Sequence, residues 1–405
     1  MEAWACAEEG LRGSVSDLEC SVMQPLVELA ITSERCSPFR QGFLADPIGS
    51  AVAYDAFLCI EVPLPWERDI SMHDPFFSLS QDGAARTPQT AEDRSNRKPF
   101  ASITGPDGRR WRPQGLVAAS AGLAGAGPES AGPESAGPNA VRVLAFEKRP
   151  VPSVAGSAPP VFQVETAVPF ERREWLLNPA QVLSLARALV NADDPAIAAY
   201  EQFQVMVGAD VIDLLICTHG KRDVCCGQAG MALYSTISSQ LGDAPSPVRV
   251  WRASHTGGHR FAPTALTFPD GYAWAYLDES TTAQILNRSA TPALAAPQDL
   301  AAVGEHCRGV SSLSAGPAQV ADRAALLHAG WAWAETSRTV EVVAFDRHSL
   351  ATTLVVTGTS ADGPKLSLRV EVQVERHIPQ ITCGVIDSCE YEVEAVWKVA
   401  SVKQV

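Results

Sequence analysis

The stretch VIDLLICTHGKRDVCCGQAGMALYSTISSQLG, residues 211–242, carries the signals that decide the fold of this chain. It opens with VIDLLI, a nearly continuous aliphatic run typical of a strand buried on both faces. A turn-rich segment with three cysteines follows, CTHGKRDVCC. Apolar side chains then recur at helical spacing, ahead of a glycine that favours a helix end, at Met231, Tyr234, Ile237 and Leu241. The stretch predicts a strand, a cysteine-rich loop and a helix.

The segments on either side extend this pattern into a layer of strands and helices. PVRVWRAS (247–254) predicts the next strand, and TALTFPDGYAWAYLD (264–278) predicts a hairpin that turns at Pro-Asp-Gly. NPAQVLSLARALVNA (178–192) predicts a helix behind an Asn-Pro start. The order strand, helix, strand, hairpin, helix is typical of a thioredoxin-like α/β layer, which we assign to residues 176–300.

The remaining chain divides into three regions. Strand-like segments such as YDAFLCIEVPLPW and VRVLAFE predict an N-terminal α/β region over residues 1–79 and 141–175. Between them, the direct AGPES repeat and its Gly, Pro, Ala and Ser neighbours predict a flexible, low-complexity insertion over 80–140. A helix at 318–331 and four strand signals thereafter predict a C-terminal antiparallel β appendage within 301–405. The expected fold class is α/β.

Composition excludes several classes of function. The formal net charge of −14 argues against phosphate-tracking nucleic-acid binding, which needs clustered Lys and Arg. No window approaches 18 consecutive apolar residues, so we expect no membrane span. The N-terminus lacks a basic start followed by an apolar run, so we expect no secretory signal and a cytoplasmic, reducing location. In that setting a cysteine cluster indicates metal binding or catalysis.

Two short windows gather the residues that carry chemistry: CTHGKRDVCCG (217–227) and SHTGGHRFAP (254–263). Each begins where a predicted strand ends, at the edge of an α/β sheet where functional groups converge. The pair His255 and His259 would suit zinc on a helix, but Gly257 and Gly258 between them favour a loop wrapped around a ligand. Thiolates and imidazoles together fit tetrahedral zinc or an iron–sulfur centre of mixed ligation, and the spacing alone does not distinguish these two kinds of site. Nor does the spacing show whether Cys225 or Cys226 is the ligand.

CTHGKRDVCCG, VWRASHTGGHRFAPT and the later PAQVADRAALLHAGW resemble the sucrase/ferredoxin-like family, whose central domain is a thioredoxin-like ferredoxin. The resemblance extends from about residue 45 into the C-terminal region, and the motif C-x8-C followed by H-x3-H is highly specific for it. It implies a [2Fe–2S] cluster with Cys217 and Cys226 on one iron and His255 and His259 on the other. We do not infer sucrase activity from the family name, because the sequence identifies no pair of carboxylates poised for glycoside hydrolysis.

The sequence allows two roles for several residues near these ligands. His219 either donates to a cluster sulfur or hydrogen-bonds within its loop. Arg222 and Asp223 either form an ion pair that fixes the loop or support the cluster, and Arg260 either supports the cluster or pairs with a carboxylate. Cys225 is either a neighbour of the ligand or, with Cys226, half of a vicinal redox pair.

The expected function is one-electron transfer through this cluster, coupled to protons because histidine ligands can titrate. We expect an electron carrier rather than an enzyme with its own substrate, with a flavoprotein reductase as possible donor, an unidentified acceptor, and neither nucleic acid nor membrane as partner. Two alternatives stay open: a structural zinc-binding interaction module, and a thioredoxin-like thiol oxidoreductase that uses Cys225 and Cys226.

Overall fold

The computed structural model describes most of the chain in ten segments. They are residues 45–81, 102–117, 139–148, 164–241, 246–287, 300–346, 349, 351–359, 366–380 and 392–405.

A large sheet of ten strands forms the centre of the described structure. Its strands, in chain order, are β1 (Ala56–Glu61), β2 (Ile103–Thr104), β3 (Arg110–Val117), β4 (Val141–Lys148), β6 (Phe170–Leu177), β7 (Ile212–Cys217), β8 (Val248–Ala253), β9 (Ala265–Phe268), β10 (Tyr272–Trp274) and β11 (Cys307–Val310). Across the sheet the order is β11-β10-β9-β7-β8-β3-β1-β4-β6, and β2 pairs with β3. The pairs β7–β8 and β1–β3 are parallel.

A second, antiparallel sheet of five strands follows the large one. It consists of β5 (Val164–Ala167), β12 (Ser337–Asp346), β13 (Ala351–Thr359), β14 (Leu366–Gln380) and β15 (Glu392–Gln404), in the order β15-β14-β13-β12-β5. The expected C-terminal antiparallel region is therefore confirmed. One of its strands, β5, comes from residues expected in the N-terminal region, since Val164 to Ala167 pair with β12.

Seven α-helices lie in the described segments. They are α1 (Phe76–Gln81), α2 (Pro179–Val190), α3 (Asp194–Ala198), α4 (Met231–Leu241), α5 (Glu279–Leu286), α6 (Leu300–Glu305) and α7 (Pro317–Ala329). Helix α2 begins as its sequence predicts, because Asn178 and Gln181 form a reciprocal capping box around a proline in the first turn. The strand, helix, strand, hairpin, helix order predicted around the cysteine window is observed from β7 to α5.

The expected insertion over 80–140 is wrong for residues 103–117. Strand β3 lies inside the large sheet between β1 and β8, and its side chains are mostly buried. The low-complexity repeat nearby made this segment look like part of the insertion. The Arg, Pro, Gln and Gly of β3 also interrupt the alternating apolar pattern of a strand, because they face specific partners and not an apolar core. The AGPES repeat at 126–135 lies outside the described residues.

The two sheets share one apolar core. Ile216 of β7, Val320 of α7 and Val370 of β14 belong to the same buried cluster, with helix α7 packed between the sheets. Strand β7 is buried along its whole length, which explains its unbroken aliphatic composition. In the described segments, no helix is both long and apolar enough to cross a bilayer.

Candidate metal centre

The four candidate ligands lie at the carboxyl ends of two neighbouring parallel strands. Cys217 is the last residue of β7 and pairs in register with Ala253, the last residue of β8. His255 follows two residues later, and His259 begins a 3-10 helix that ends at Phe261. Parallel strands bring their carboxyl ends to one edge, so the two sequence windows meet there.

Cys226 reaches this edge through an irregular helical turn. It opens a π-helix, Cys226–Gly230, that leads into α4. The carboxylate of Asp223 accepts hydrogen bonds from the backbone N–H groups of Cys225 (2.9 Å) and Cys226 (3.4 Å), and thereby caps this turn. Such π-turns are frequent at functional sites because they displace side chains from regular helical positions.

The two cysteine sulfurs are in contact. The thiol of Cys226 donates to the sulfur of Cys217, and the backbone N–H groups of His219 and Thr256 also point at that sulfur; these hydrogen bonds lower the pKa of Cys217 to about 7 against the effect of burial. The same contact, with burial, raises the pKa of Cys226 well above its ordinary value. The contact therefore favours the thiolate of Cys217 over that of Cys226, and Thr256 connects the histidine loop to Cys217.

The environment of the two histidines disfavours their protonated forms, and His255 is buried whereas His259 is partly exposed. Their ring centroids are 6.0 Å apart. Burial is the main cause that lowers the pKa of both, and the pKa of His255 lies well below its ordinary value. Neutral imidazole is the form that binds metal.

His259 has one ring nitrogen that nothing in the described chain satisfies. Its Nε2 is buried without a hydrogen-bond partner among the described residues, whereas its Nδ1 faces a carboxylate oxygen of Asp223 at 3.7 Å. A buried polar atom without a partner is costly. One ring nitrogen toward a ligand and the other toward a carboxylate is the usual arrangement of a metal-binding histidine.

Glycines allow the histidine loop its shape. Gly257 and Gly258 have φ of 89° and 67°, in the left-handed region where other residues are strained. A Cβ on Gly258 would lie 2.6 Å from the guanidinium carbon of Arg308. The loop therefore rests directly on a buried arginine.

The structure places the remaining candidate residues as follows. The Nδ1 of His219 accepts the backbone N–H of His255 at 3.2 Å, and its Nε2 lies 2.6 Å from the carbonyl oxygen of Glu67. Arg222 donates to the carbonyl of Arg68 at 3.2 Å. Arg260 forms an ion pair with Glu394 of β15 at 2.8 Å. Cys225 is a buried cysteine that packs beside Cys217 and Cys226.

Several residues of the site escaped the sequence analysis. Gln114, in the part of β3 expected to be an insertion, donates to the carbonyl (2.6 Å) and hydroxyl (2.7 Å) oxygens of Ser254. Arg112 on the same strand donates to the carbonyl of His255 at 2.6 Å. The sequence offered one indication, a charged or amide residue inside an otherwise buried strand, and such a residue does not show which partner it contacts.

Comparison with known proteins identifies the chain's relatives. The family model described as sucrase/ferredoxin-like matches residues 47–309, well over half of the chain. The chain belongs to the sucrase/ferredoxin-like family. This membership covers every residue of the site described above except Glu394.

One curated protein similar to this family member is altered inheritance of mitochondria protein 32 from Debaryomyces hansenii. The two are 38% identical over 63 residues, which is 16% of this chain and 22% of the relative. The chain thus matches less than a quarter of that relative's length. No solved structure matches the sucrase/ferredoxin-like chain.

The donors do not converge on a single ion. Among the described residues, no three His, Cys, Asp or Glu side chains form a group able to hold one metal ion together. The arrangement at the sheet edge is instead two pairs, one of sulfurs and one of imidazoles.

Proposed function

We propose that this protein is a one-electron carrier whose [2Fe–2S] cluster is held by Cys217 and Cys226 on one side and His255 and His259 on the other. The observation that carries the proposal is the unsatisfied, buried Nε2 of His259 beside a buried pair of sulfurs at one sheet edge. When bound, such a cluster supplies one reversible electron and no bond-making chemistry.

The residues present fit this group in type and protonation. A two-iron cluster of mixed ligation asks for two thiolates and two neutral imidazoles as separate pairs. The N–H groups that point at the Cys217 sulfur would also stabilise negative charge there. A structural zinc site needs four donors around one ion, which the paired arrangement supports less well.

The site reaches the surface at His259. Its side chain is 22% exposed, whereas Cys217, Cys226 and His255 are almost completely buried. We infer that electrons enter and leave on this side, toward a flavoprotein reductase or another redox partner. We propose that His259, whose Nδ1 lies 3.7 Å from a carboxylate oxygen of Asp223, exchanges a proton with solvent when the cluster changes oxidation state.

The alternative of a thiol oxidoreductase is less well supported. Thiol–disulfide exchange requires an accessible thiolate, but the side chains of Cys225 and Cys226 are buried, with 4% and 1% exposure. No disulfide joins any two of the five described cysteines, which fits the reducing, cytoplasmic location that we propose.

Electron paramagnetic resonance on anaerobically purified, dithionite-reduced protein tests the proposal. We expect about two irons and two sulfides per chain, visible charge-transfer bands, and an averaged g value that indicates histidine ligation. Cys225→Ala serves as matched control for Cys226→Ala, and we expect only the second to lose the signal. Colourless protein that contains zinc, or an all-cysteine signal, would refute the proposal.

A further inference from the structure

Arg308 is a buried cation that lies against the histidine loop. It belongs to β11, and 1% of the residue is exposed. Its Nη1 donates to the carbonyl of Gly257 at 2.9 Å, its Nη2 to the carbonyl of Ser50 at 2.7 Å, and its Nε to the Ser50 hydroxyl at 3.2 Å. Gly257 stands between the two histidines, so the guanidinium holds the loop that carries them.

The hydrogen bonds of Arg308 end on neutral oxygens. Two other deeply buried arginines differ, because Arg338 pairs with Asp322 at 2.6 Å and Arg249 with Asp213 at 2.8 Å. Arg308 forms no ion pair with a described residue. A buried charge without a counter-charge costs several kcal/mol, so this position calls for negative charge close by.

Arg308 lies close enough to Glu394 and Cys226 to respond to negative charge on either group. Burial is the main cause that lowers the pKa of Arg308, to about 9, and Arg260 and Arg112 act in the same direction. Glu394 and Cys226 act in the opposite direction. Glu394 already pairs with Arg260, and Cys226 would carry negative charge as a thiolate ligand of the proposed cluster. The guanidinium stays protonated at neutral pH.

We propose that Arg308 is a positioning residue that sets the reduction potential of the site, by holding the Gly257–Gly258 turn and by supplying the counter-charge for the thiolates and for the added electron. The inference rests on the proposed function. A fixed cation in a water-poor environment stabilises the reduced form, which carries one more negative charge, and therefore raises the midpoint potential.

A redox titration of purified, cluster-containing protein, followed by visible absorbance, tests the inference. We expect Arg308→Gln to lower the midpoint potential, so that the ratio of reduced to oxidised protein at a fixed potential falls about tenfold, which is ~59 mV for one electron. We expect Arg308→Lys to shift it less, because it retains the charge but loses the planar fork of donors.

Two further variants give the experiment its controls. Glu394→Gln removes the carboxylate that pairs with Arg260 and should raise the potential, the opposite sign. Lys398→Gln removes an exposed charge from the same strand, β15, and should leave the potential unchanged because solvent screens it. If Arg308→Gln does not retain the cluster, the midpoint potentials of Arg308→Lys and Glu394→Gln test the inference.

The outcomes separate this inference from the proposed function. A wild-type protein without iron and sulfide would overturn both. A wild-type signal typical of histidine ligation, with Arg308→Gln and Glu394→Gln at the wild-type potential, would overturn only the role of Arg308. Opposite shifts in these two variants, with an unchanged Lys398→Gln, would support it.

Discussion

At the scale of single residues, His219 shows how the cysteine loop is fastened to the rest of the molecule. Because its Nδ1 accepts the backbone N–H of His255, its Nε2 carries the proton and donates to the carbonyl of Glu67. Its ring also packs edge-on against Trp66, with 5.4 Å between centroids. The side chain therefore joins the cysteine loop and the histidine loop to the segment after β1, and its role in the described structure is hydrogen bonding between these three segments.

This arrangement predicts a pH-dependent contribution to stability. Burial is the main cause that lowers the pKa of His219 from its ordinary value of 6.5. As pH falls, the unfolded chain takes up this proton first, so the stabilisation is complete above about pH 6.5 and decreases below it, by up to ~1.4 kcal/mol per pH unit. Urea unfolding between pH 7.5 and 5.5 should show a shallower pH dependence for His219→Gln than for wild type.

Wild type and variant share His255 and His259, so the difference between their slopes isolates His219. Equal slopes would mean that His219 is protonated in the folded protein or exposed to solvent.

At the scale of elements, the junction between β7 and the π-helix forces the two cysteines together. A Cβ added to Gly230 would lie 1.9 Å from the carbonyl oxygen of Cys217. The turn therefore packs backbone against backbone over the end of the strand, which only glycine permits. This packing directs Cys226 toward Cys217 rather than toward solvent.

We expect Gly230→Ala to separate the turn from β7 and to lower the free energy of unfolding by more than about 2 kcal/mol. With the proposed cluster, it should also reduce the iron bound per chain, because Cys226 moves with the turn. The matched control is Gly220→Ala, whose Cβ would lie 3.2 Å from the Cα of Gly227, a contact that a small shift relieves. Chemical denaturation and iron analysis of both variants measure the effect, and similar losses in the two would contradict it.

Also at this scale, the sequence predicted the elements well where periodicity was plain. The strand at 211–216, the helix behind the Asn-Pro start and the four C-terminal strands are observed close to their expected bounds. Strand β3 was missed because Arg112, Gln114 and Gly115 serve as hydrogen-bond partners of the histidine loop. A strand chosen for such contacts carries no alternating apolar pattern.

At the scale of the whole molecule, a buried network joins the two sheets. Asp322 of α7 accepts hydrogen bonds from Arg338 of β12 (2.6 Å), from Trp333 (3.0 Å) and from the hydroxyl of Tyr272 on β10 (2.9 Å). Helix α7 also holds the segments around Ala51 and Val310 through hydrogen bonds from Gln319. The C-terminal region therefore supports the strand on which Arg308 lies.

We expect Asp322→Asn to lower the free energy of unfolding by about 3–5 kcal/mol, because it leaves Arg338 buried without its counter-charge. Asp46→Asn is the control, since it also breaks an arginine ion pair, with Arg323 at 2.6 Å, but its side chain is 32% exposed. We expect a smaller loss there, because water reaches the Asp46 side of that pair, whereas both partners of the Asp322–Arg338 pair are buried. Equilibrium unfolding measures both, and equal losses would mean that the network contributes no more than a partly exposed ion pair.

The sequence by itself determined the family, the α/β class and the two windows of Cys and His, because hydrophobic periodicity and residue spacing are local properties of the chain. Only the tertiary structure decided that the windows meet at one sheet edge, that β3 anchors the histidine loop, and that Arg308 lies against this loop without an ion pair to any described carboxylate. Each of these contacts joins residues far apart in the chain. The sequence does not show which partner a polar side chain will have, because that is decided when burial removes water and leaves one partner within hydrogen-bonding distance.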